Sequence, residues 1–281
     1  MTPTVVFPLW PKGSPNEKIA DADMPNGVPS LVFHKPPVHG ELKKPRPCVL
    51  ICPGGGYAMR AEHEGTPFAH LFGLNGIYAG VIHYRVIPNN FPAPYADAAR
   101  AIRYVRANAE TLGVDPKRIA IMGFSAGGHL ASTVAIQPEL WLDPEDDLAG
   151  KVSARPDRMI LGYPVVSGIS DPHDGSFINI IGEKEGEKNE KLRRQLSNEL
   201  HVTKKSPPAF IIHKANDGSV PVQNSLRLAL AYAAAGVSCE THIYKEGDHG
   251  LGAALHVPKL KSWTHLLMSW MQDWVRSPYG D

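Results

Sequence analysis

Gly123-Phe124-Ser125-Ala126-Gly127 is a GxSxG pentapeptide. The run before it, Ile119–Met122, reads as a strand, and Gly128–Ile136 reads as a helix. A serine on a sharp strand-to-helix turn projects its hydroxyl as a nucleophile for a carbonyl carbon. Glycines at 123 and 127 remove side chains that would collide in such a turn. The following helix N-terminus aims N–H groups and partial positive charge at a developing oxyanion.

A second glycine cluster, Pro53-Gly54-Gly55-Gly56-Tyr57, follows the apolar run Val49–Cys52. It has the form of an HGGG oxyanion loop with proline in place of histidine. The N–H groups of Ala126 and of Gly55 or Gly56 are the expected oxyanion donors. A phosphate loop is excluded, because no Lys-Ser/Thr pair and no GxGxxG accompanies the glycines.

A serine hydroxyl needs a base, and the base needs a carboxylate to fix its tautomer. Asp217 follows the run Phe210–His213, and His249 follows Cys239–Tyr244, so nucleophile, acid and histidine come in that order. Both sit where loops leave the carboxyl ends of strands. The other histidines are weaker candidates. His129 lies four residues beyond Ser125 and is expected to pack under or against the loop, while His256 and His265 lie past the glycine-flanked turn. Asp248 adjoins His249 and is expected to point elsewhere; Asp171 and Asp174 are alternatives for the acid. No metal site is expected: His63-Glu64 lacks HExxH spacing, and Asp171-Pro172-His173-Asp174 has no partner cluster.

These loops need a scaffold. Short apolar runs recur at Val49–Cys52, Tyr78–Tyr84, Ile119–Met122, Met159–Val166, Phe210–His213 and Cys239–Tyr244. Weak alternation between turn signals marks strands buried on both faces of a parallel sheet. Helical patterns lie between them, at Phe68–Leu74, Tyr95–Ala109, Val222–Ala235 and Leu260–Val275. The alternation predicts one α/β domain with a mostly parallel sheet over residues 31–281, preceded by an extended proline- and glycine-rich arm over 1–30. Arg100, Arg103 and Arg106 form a stripe expected to be a solvated helix face, with anion binding as the alternative. Residues 167–208 interrupt the alternation. Their segment Glu183–Leu200 reads as a surface helix with a seam of Leu192, Leu196 and Leu200, part of either a lid or a plain surface insertion.

The composition narrows the function further. Of 281 residues, 43% are hydrophobic and 20% charged, enough for a large core and too apolar for a disordered chain. A net charge of +1 gives no electrostatic case for nucleic acid or an anionic membrane. No run of 18 apolar residues is present, and the opening MTPTVVFPLWPKG lacks a basic n-region, so neither a membrane span nor a signal peptide is expected. That opening fits a cytoplasmic chain or one whose leader has been removed. Cys48 and Cys52 lie about 13 Å apart along one strand, too far for a disulfide, and read as packing thiols.

The chain resembles the bacterial α/β-hydrolase acetyl xylan esterases, including bifunctional acetyl and feruloyl esterases. The resemblance runs through Pro8-Leu9-Trp10-Pro11, Ile51–Tyr57 with Glu64-Gly65, His83-Tyr84-Arg85, Phe91-Pro92-Ala93-Pro94 and Gly113-Val114-Asp115-Pro116. It continues through Ile121–Leu130, Ser206-Pro207-Pro208, Asp217 with Val220-Pro221 and Asn224-Ser225, and His249-Gly250. The chain has Asn216-Asp217 where the family has Asp-Asp, and Asp248 where the family has glycine before the histidine.

The resemblance implies an α/β-hydrolase fold and a serine carboxylesterase with Ser125, Asp217 and His249 as its triad. It requires no cofactor or metal, and its substrate is an acylated carbohydrate or small ester. Apart from the resemblance, Tyr57 and Tyr84 are candidates to line the pocket and stack on a sugar or aromatic acyl group, with plain core or surface packing as the alternative. An amidase, an arylformamidase or a generic small-ester hydrolase on the same scaffold is the alternative. A binding protein on an inactive scaffold is disfavoured, because all three triad residues are present.

Overall fold

A computed structural model of the chain describes residues 4–15, 23–37, 44–184, 188–254, 257 and 259–274. Eight strands form one sheet: β1 (Thr4–Pro8), β2 (Ser30–His34), β3 (Arg46–Cys52), β4 (Tyr78–His83), β5 (Val114–Phe124), β6 (Arg158–Gly162), β7 (Ala209–Lys214) and β8 (Cys239–Tyr244). Their spatial order is β1-β2-β4-β3-β5-β6-β7-β8. Strands β3 to β8 are mutually parallel, and β2 runs antiparallel to both β1 and β4. The sheet is therefore mostly parallel, as the alternation of elements predicts.

Among the described residues, eight α-helices connect and cover the strands: α1 (Thr66–Leu74), α2 (Ala93–Ala107), α3 (Ala109–Leu112), α4 (Ser125–Ile136), α5 (Asp174–Ile181), α6 (Glu190–Gln195), α7 (Gln223–Ala235) and α8 (Trp263–Trp270). Successive strand residues point to opposite faces, so each central strand feeds two cores. Leu50, Ile121, Leu161 and Ile211 pack with Ile102 of α2, Leu130 of α4 and Leu228 of α7. Their neighbours Ile51, Met122, Ile160 and Ile212 pack with Phe68 of α1 and Trp263 and Leu267 of α8. Burial on both faces is why these strands carry no clean polar alternation.

The first residues of the chain join the sheet. Thr4–Pro8 pairs with β2 along its whole length. Leu9 and Trp10 are buried, and the Trp10 indole N–H donates to Asp97 Oδ1 at 2.7 Å.

The arginine stripe on α2 is not a solvated face. Arg100 and Arg103 are buried. Arg100 donates to Asp143 (2.8 Å), to Asp147 and to the Leu9 carbonyl (2.9 Å), while Arg103 donates to the Trp141 and Val152 carbonyls. Arg106 reaches Asp157 at 3.0 Å and the Ser153 carbonyl at 2.6 Å. The stripe clamps the long connection between α4 and β6. Its acceptors lie tens of residues away, so helical spacing alone reads it as exposed.

The stretch between β6 and β7 holds two short helices, α5 and α6, rather than one helix over 183–200. Leu196 is fully buried, whereas Leu200 is 45% exposed, so the leucine seam ends early. Arg193 fastens this stretch. Its buried guanidinium donates to Glu183 (2.7 Å), Asp174 (2.6 Å) and the Gly168 carbonyl (3.2 Å).

Candidate active site

Helix α4 starts at Ser125 itself, directly on the end of β5. The Ser125 backbone has φ +51°, a left-handed conformation that costs a residue with a side chain roughly 1–2 kcal/mol. The flanking glycines make the turn possible. A Cβ on Gly123 would lie 2.1 Å from the Gly127 carbonyl oxygen, and one on Gly127 would lie 2.2 Å from the Cys52 carbonyl oxygen. Neither position tolerates a side chain.

The structure brings Ser125, His249 and Asp217 together. Ser125 Oγ lies 2.8 Å from His249 Nε2, and His249 Nδ1 lies 2.8 Å from Asp217 Oδ2. A carboxylate accepts only, so Nδ1 donates to Asp217 and Nε2 is free to accept the serine proton. The carboxylate is itself held: Oδ1 accepts the Ser219 and Val220 N–H groups, each at 2.9 Å. Buried His213 lies 3.4 Å from Oδ2 through its Nε2. Burial pushes the Asp217 carboxyl up, but the bonds from His213, His249 and Val220 outweigh it and hold the group far below the usual range. It stays ionised beside the imidazole. Asp171 and Asp174, the alternative acids, pair instead with Arg227 and Arg193.

The glycine loop is fixed by its carbonyls. Tyr84 Oη donates to the Pro53 carbonyl (2.6 Å), Ala61 N to Gly54 (3.0 Å), and Ala58 N to Gly55 (3.0 Å). Asn179 Nδ2 donates to the Gly56 carbonyl (2.8 Å), and Ile87 N to Tyr57 (3.0 Å). Each carbonyl from 53 to 57 thus has a donor. Positive φ values at Gly55, Gly56 and Tyr57 shape the turn. The Gly54 N–H donates to Glu64 Oε2 at 2.7 Å, which leaves the Gly55 and Gly56 amides as the loop's candidates for an oxyanion.

Tyr57 and Tyr84 do not line a pocket. Their rings are 1% and 0% exposed, too buried to stack on a sugar or aromatic acyl group. Both serve the loop from beneath: Tyr84 through the Pro53 carbonyl, and Tyr57 through a 2.7 Å bond to His129 Nδ1. His129 is buried on α4, with Nε2 2.8 Å from the Leu196 carbonyl, as a packing histidine should be. His256 lies outside the described residues.

Three residues near the site have roles that their sequence context does not reveal, although Glu64-Gly65 is part of the family resemblance. Glu64 and Tyr163 are buried and bonded to each other at 2.6 Å. Lys214, at the end of β7, places Nζ 4.2 Å from the Tyr163 ring centre and donates to the Asp248 carbonyl. Burial pushes the Lys214 ammonium down to about 8, against the opposing pull of Asp217, Glu64 and Asp248. Among the described residues no group of three or more His, Cys, Asp or Glu side chains is arranged to hold a metal ion. None of their helices is long and apolar enough to cross a membrane.

Comparison with known proteins gives consistent relatives. A family model described as BD-FAE matches residues 37–157, and one described as the prolyl oligopeptidase family matches residues 162–277. An acetylxylan esterase of Xylanibacter ruminicola is 37% identical over 73% of the chain, and an endo-1,4-beta-xylanase B of Butyrivibrio fibrisolvens is 35% identical over 81%. The matched segment spans only 41% and 35% of those two proteins. An acetyl ester-xyloside bifunctional hydrolase from Caldicellulosiruptor lactoaceticus superposes with TM-score 0.85 and 40% identity, over 96% of both chains. A carboxylesterase of Lactobacillus plantarum superposes with TM-score 0.72 and 25% identity, over 87% of this chain and 92% of its own.

Proposed function

The chain belongs to the bacterial α/β-hydrolase family of acetylxylan esterases, and from that premise we propose that it is a serine carboxylesterase acting on acetyl groups of xylan or a related plant polysaccharide. The observation that carries the reading is the unbroken run Ser125 Oγ–His249 Nε2 and His249 Nδ1–Asp217 Oδ2, at 2.8 Å in each step.

In the proposed reaction Ser125 Oγ bonds to the ester carbonyl carbon as its proton passes to His249 Nε2. The Ala126 N–H and the Gly55 or Gly56 N–H receive the negative oxygen. Each such donor is worth about 2.7–4 kcal/mol in other oxyanion holes. The C–O bond to the sugar then breaks, and His249 gives its proton to the departing hydroxyl. Water repeats the attack with His249 as base, freeing acetate and restoring Ser125. No step calls for a metal or cofactor.

The test is kcat/KM on acetylated xylan, 4-nitrophenyl acetate and methyl ferulate, with Ser125→Ala as control. Acetate release from xylan that vanishes in the variant is expected, with slower turnover of the ferulate. Wild-type activity in Ser125→Ala would overturn the site. Turnover of 4-nitrophenyl acetate alone would overturn the carbohydrate substrate.

A further inference from the structure

We propose that Glu64 and Tyr163 form a buried brace that sets the oxyanion loop and the histidine loop at a fixed separation, making both of them positioning residues for ester hydrolysis. The inference rests on the reading of Ser125 and His249 as nucleophile and base.

Glu64 is 2% exposed and sits just before α1. Its Oε2 accepts the Gly54 N–H at 2.7 Å, and its Oε1 accepts the Tyr163 hydroxyl at 2.6 Å. The Tyr163 oxygen in turn accepts the Gly252 N–H at 2.8 Å. Every proton in this chain has one direction. Gly54 and Gly252 can only donate through their amides, and the carboxylate can only accept, so the hydroxyl must donate to Glu64 while accepting from Gly252. Burial and the Glu64 charge push the Tyr163 hydroxyl well up, so it remains a donor.

One end of this chain of bonds packs against the nucleophile's turn, and the other enters the histidine loop. A Cβ on Gly54 would lie 3.0 Å from the Ser125 Cβ and 2.8 Å from the Phe124 carbonyl oxygen, so this glycine packs against the nucleophile's turn. Gly252 lies three residues after His249, and the Tyr163 ring stands 5.0 Å from the His249 ring at 66°. His63 adds a second strut by donating from Nε2 to the Gly250 carbonyl at 2.7 Å. Residues 63 and 64 thus hold the segment after His249 from one side and the glycine loop from the other. A carboxylate suits the junction because each of its two oxygens takes one of the two donors. Glutamine presents an NH2 group to either Gly54 or Tyr163, so either the Gly54 N–H or the Tyr163 O–H loses its acceptor.

The experiment compares Glu64→Gln, Tyr163→Phe and the double variant. Rates on 4-nitrophenyl acetate are expressed per active site, counted by titration with diethyl 4-nitrophenyl phosphate. The second readout is Ki for a trifluoromethyl ketone, which binds as a serine hemiketal whose oxyanion needs the loop. Removing one oxyanion donor elsewhere costs about 100–1,000-fold. Accordingly Glu64→Gln should lower kcat/KM per site by roughly 100-fold and raise Ki in step, and Tyr163→Phe should act about tenfold on both.

The double variant should lie within about threefold of Glu64→Gln, because both changes cut one chain. A residue that only supported folding would change the number of titratable sites and leave both values per site unchanged. Glu64→Gln within twofold of wild type per site, or effects that multiply in the double variant, would overturn the brace. If Glu64→Gln does not fold, Tyr163→Phe, which keeps the buried ring, decides alone: wild-type kcat/KM and Ki overturn it. Ser125→Ala separates the two readings. Activity surviving there sinks the triad; an inactive Ser125→Ala beside a wild-type Glu64→Gln sinks only the brace.

Discussion

Tyr57 donates its hydroxyl proton to His129 Nδ1 across 2.7 Å, joining the glycine loop to the helix that begins at Ser125. The direction follows from the other ring nitrogen. His129 Nε2 faces the Leu196 carbonyl at 2.8 Å, which can only accept, so Nε2 holds the ring proton and Nδ1 is the acceptor. Oxyanion loop, nucleophile helix and the residues around Leu196 are therefore bonded through one imidazole.

Tyr57→Phe should loosen that junction. His129 Nδ1 would lose its near donor and keep only the Tyr95 hydroxyl at 3.3 Å. An unsatisfied buried acceptor costs about 1–3 kcal/mol, and an unfolding free energy lowered by that amount, seen as a lower urea midpoint, is expected. The rate per active site should fall as well. An unchanged midpoint would mean that Tyr95 takes over.

The same histidine sets an acid limit on stability. Burial pushes its imidazole down to about 4, although the Leu196 carbonyl works the other way. Unfolded, it takes up a proton near pH 6.5, so between about 6.5 and 4 the unfolded state binds more protons. Folding stability should fall as pH drops through that window, by about 3 kcal/mol at most from this group. Urea unfolding of wild type and His129→Gln at pH 7 and pH 4.5 measures it, and the variant should lose less on acidification.

Lys214 predicts the opposite end of the range. Its ammonium, pushed down to about 8 by burial, has an unfolded value near 10.5. Between those values the unfolded chain holds the extra proton, so this group makes stability rise with pH from about 8 to 10.5. Lys214→Met should be flatter than wild type over that interval in pH-resolved thermal unfolding. Parallel curves would refute the assignment.

Asp217→Asn should spare the fold and strip the rate. The amide cannot hold His249 in the required tautomer, and a triad elsewhere loses about 10,000-fold in kcat from the same change. Near-normal circular dichroism with a loss of that order on 4-nitrophenyl acetate is the expected result. A loss below tenfold would point to another carboxylate.

Arg193→Met should destabilise the stretch between β6 and β7. The Glu183 carboxylate, with its side chain 3% exposed, would be left buried without its partner. Breaking a fully buried pair costs about 3–5 kcal/mol; Glu183 keeps the Asn189 N–H at 2.7 Å and Asp174 borders solvent, so a smaller loss of about 1–3 kcal/mol is expected in thermal unfolding. Glu183→Gln with Arg193→Met should recover part of the loss.

The pentapeptide at 123–127 and the chain order of Ser125, Asp217 and His249 were legible because each rests on local geometry: a turn that excludes side chains, and loops that follow apolar runs. The parallel sheet was legible for the same reason. The role of Arg100 was not, because its acceptors Leu9, Asp143 and Asp147 are set by tertiary folding rather than helical spacing. Tyr57 and Tyr84 stayed open between pocket and core because an aromatic beside a glycine loop looks the same in sequence whether its ring turns outward or under the loop. Glu64 was legible as part of the family motif but not in its role, since its partner Tyr163 lies ninety-nine positions away.

Ser125 directly follows β5, a strand with neighbours on both sides, while His249 follows β8, which among the described strands pairs with β7 alone and is only half-buried along its length. The nucleophile and its base are thus anchored to parts of the sheet with different resistance to opening. Under heat or denaturant the rim should therefore open before the centre. The first inactive form should keep an ordered serine that has merely lost the group that takes its proton, and cooling should return that form to work without refolding the core.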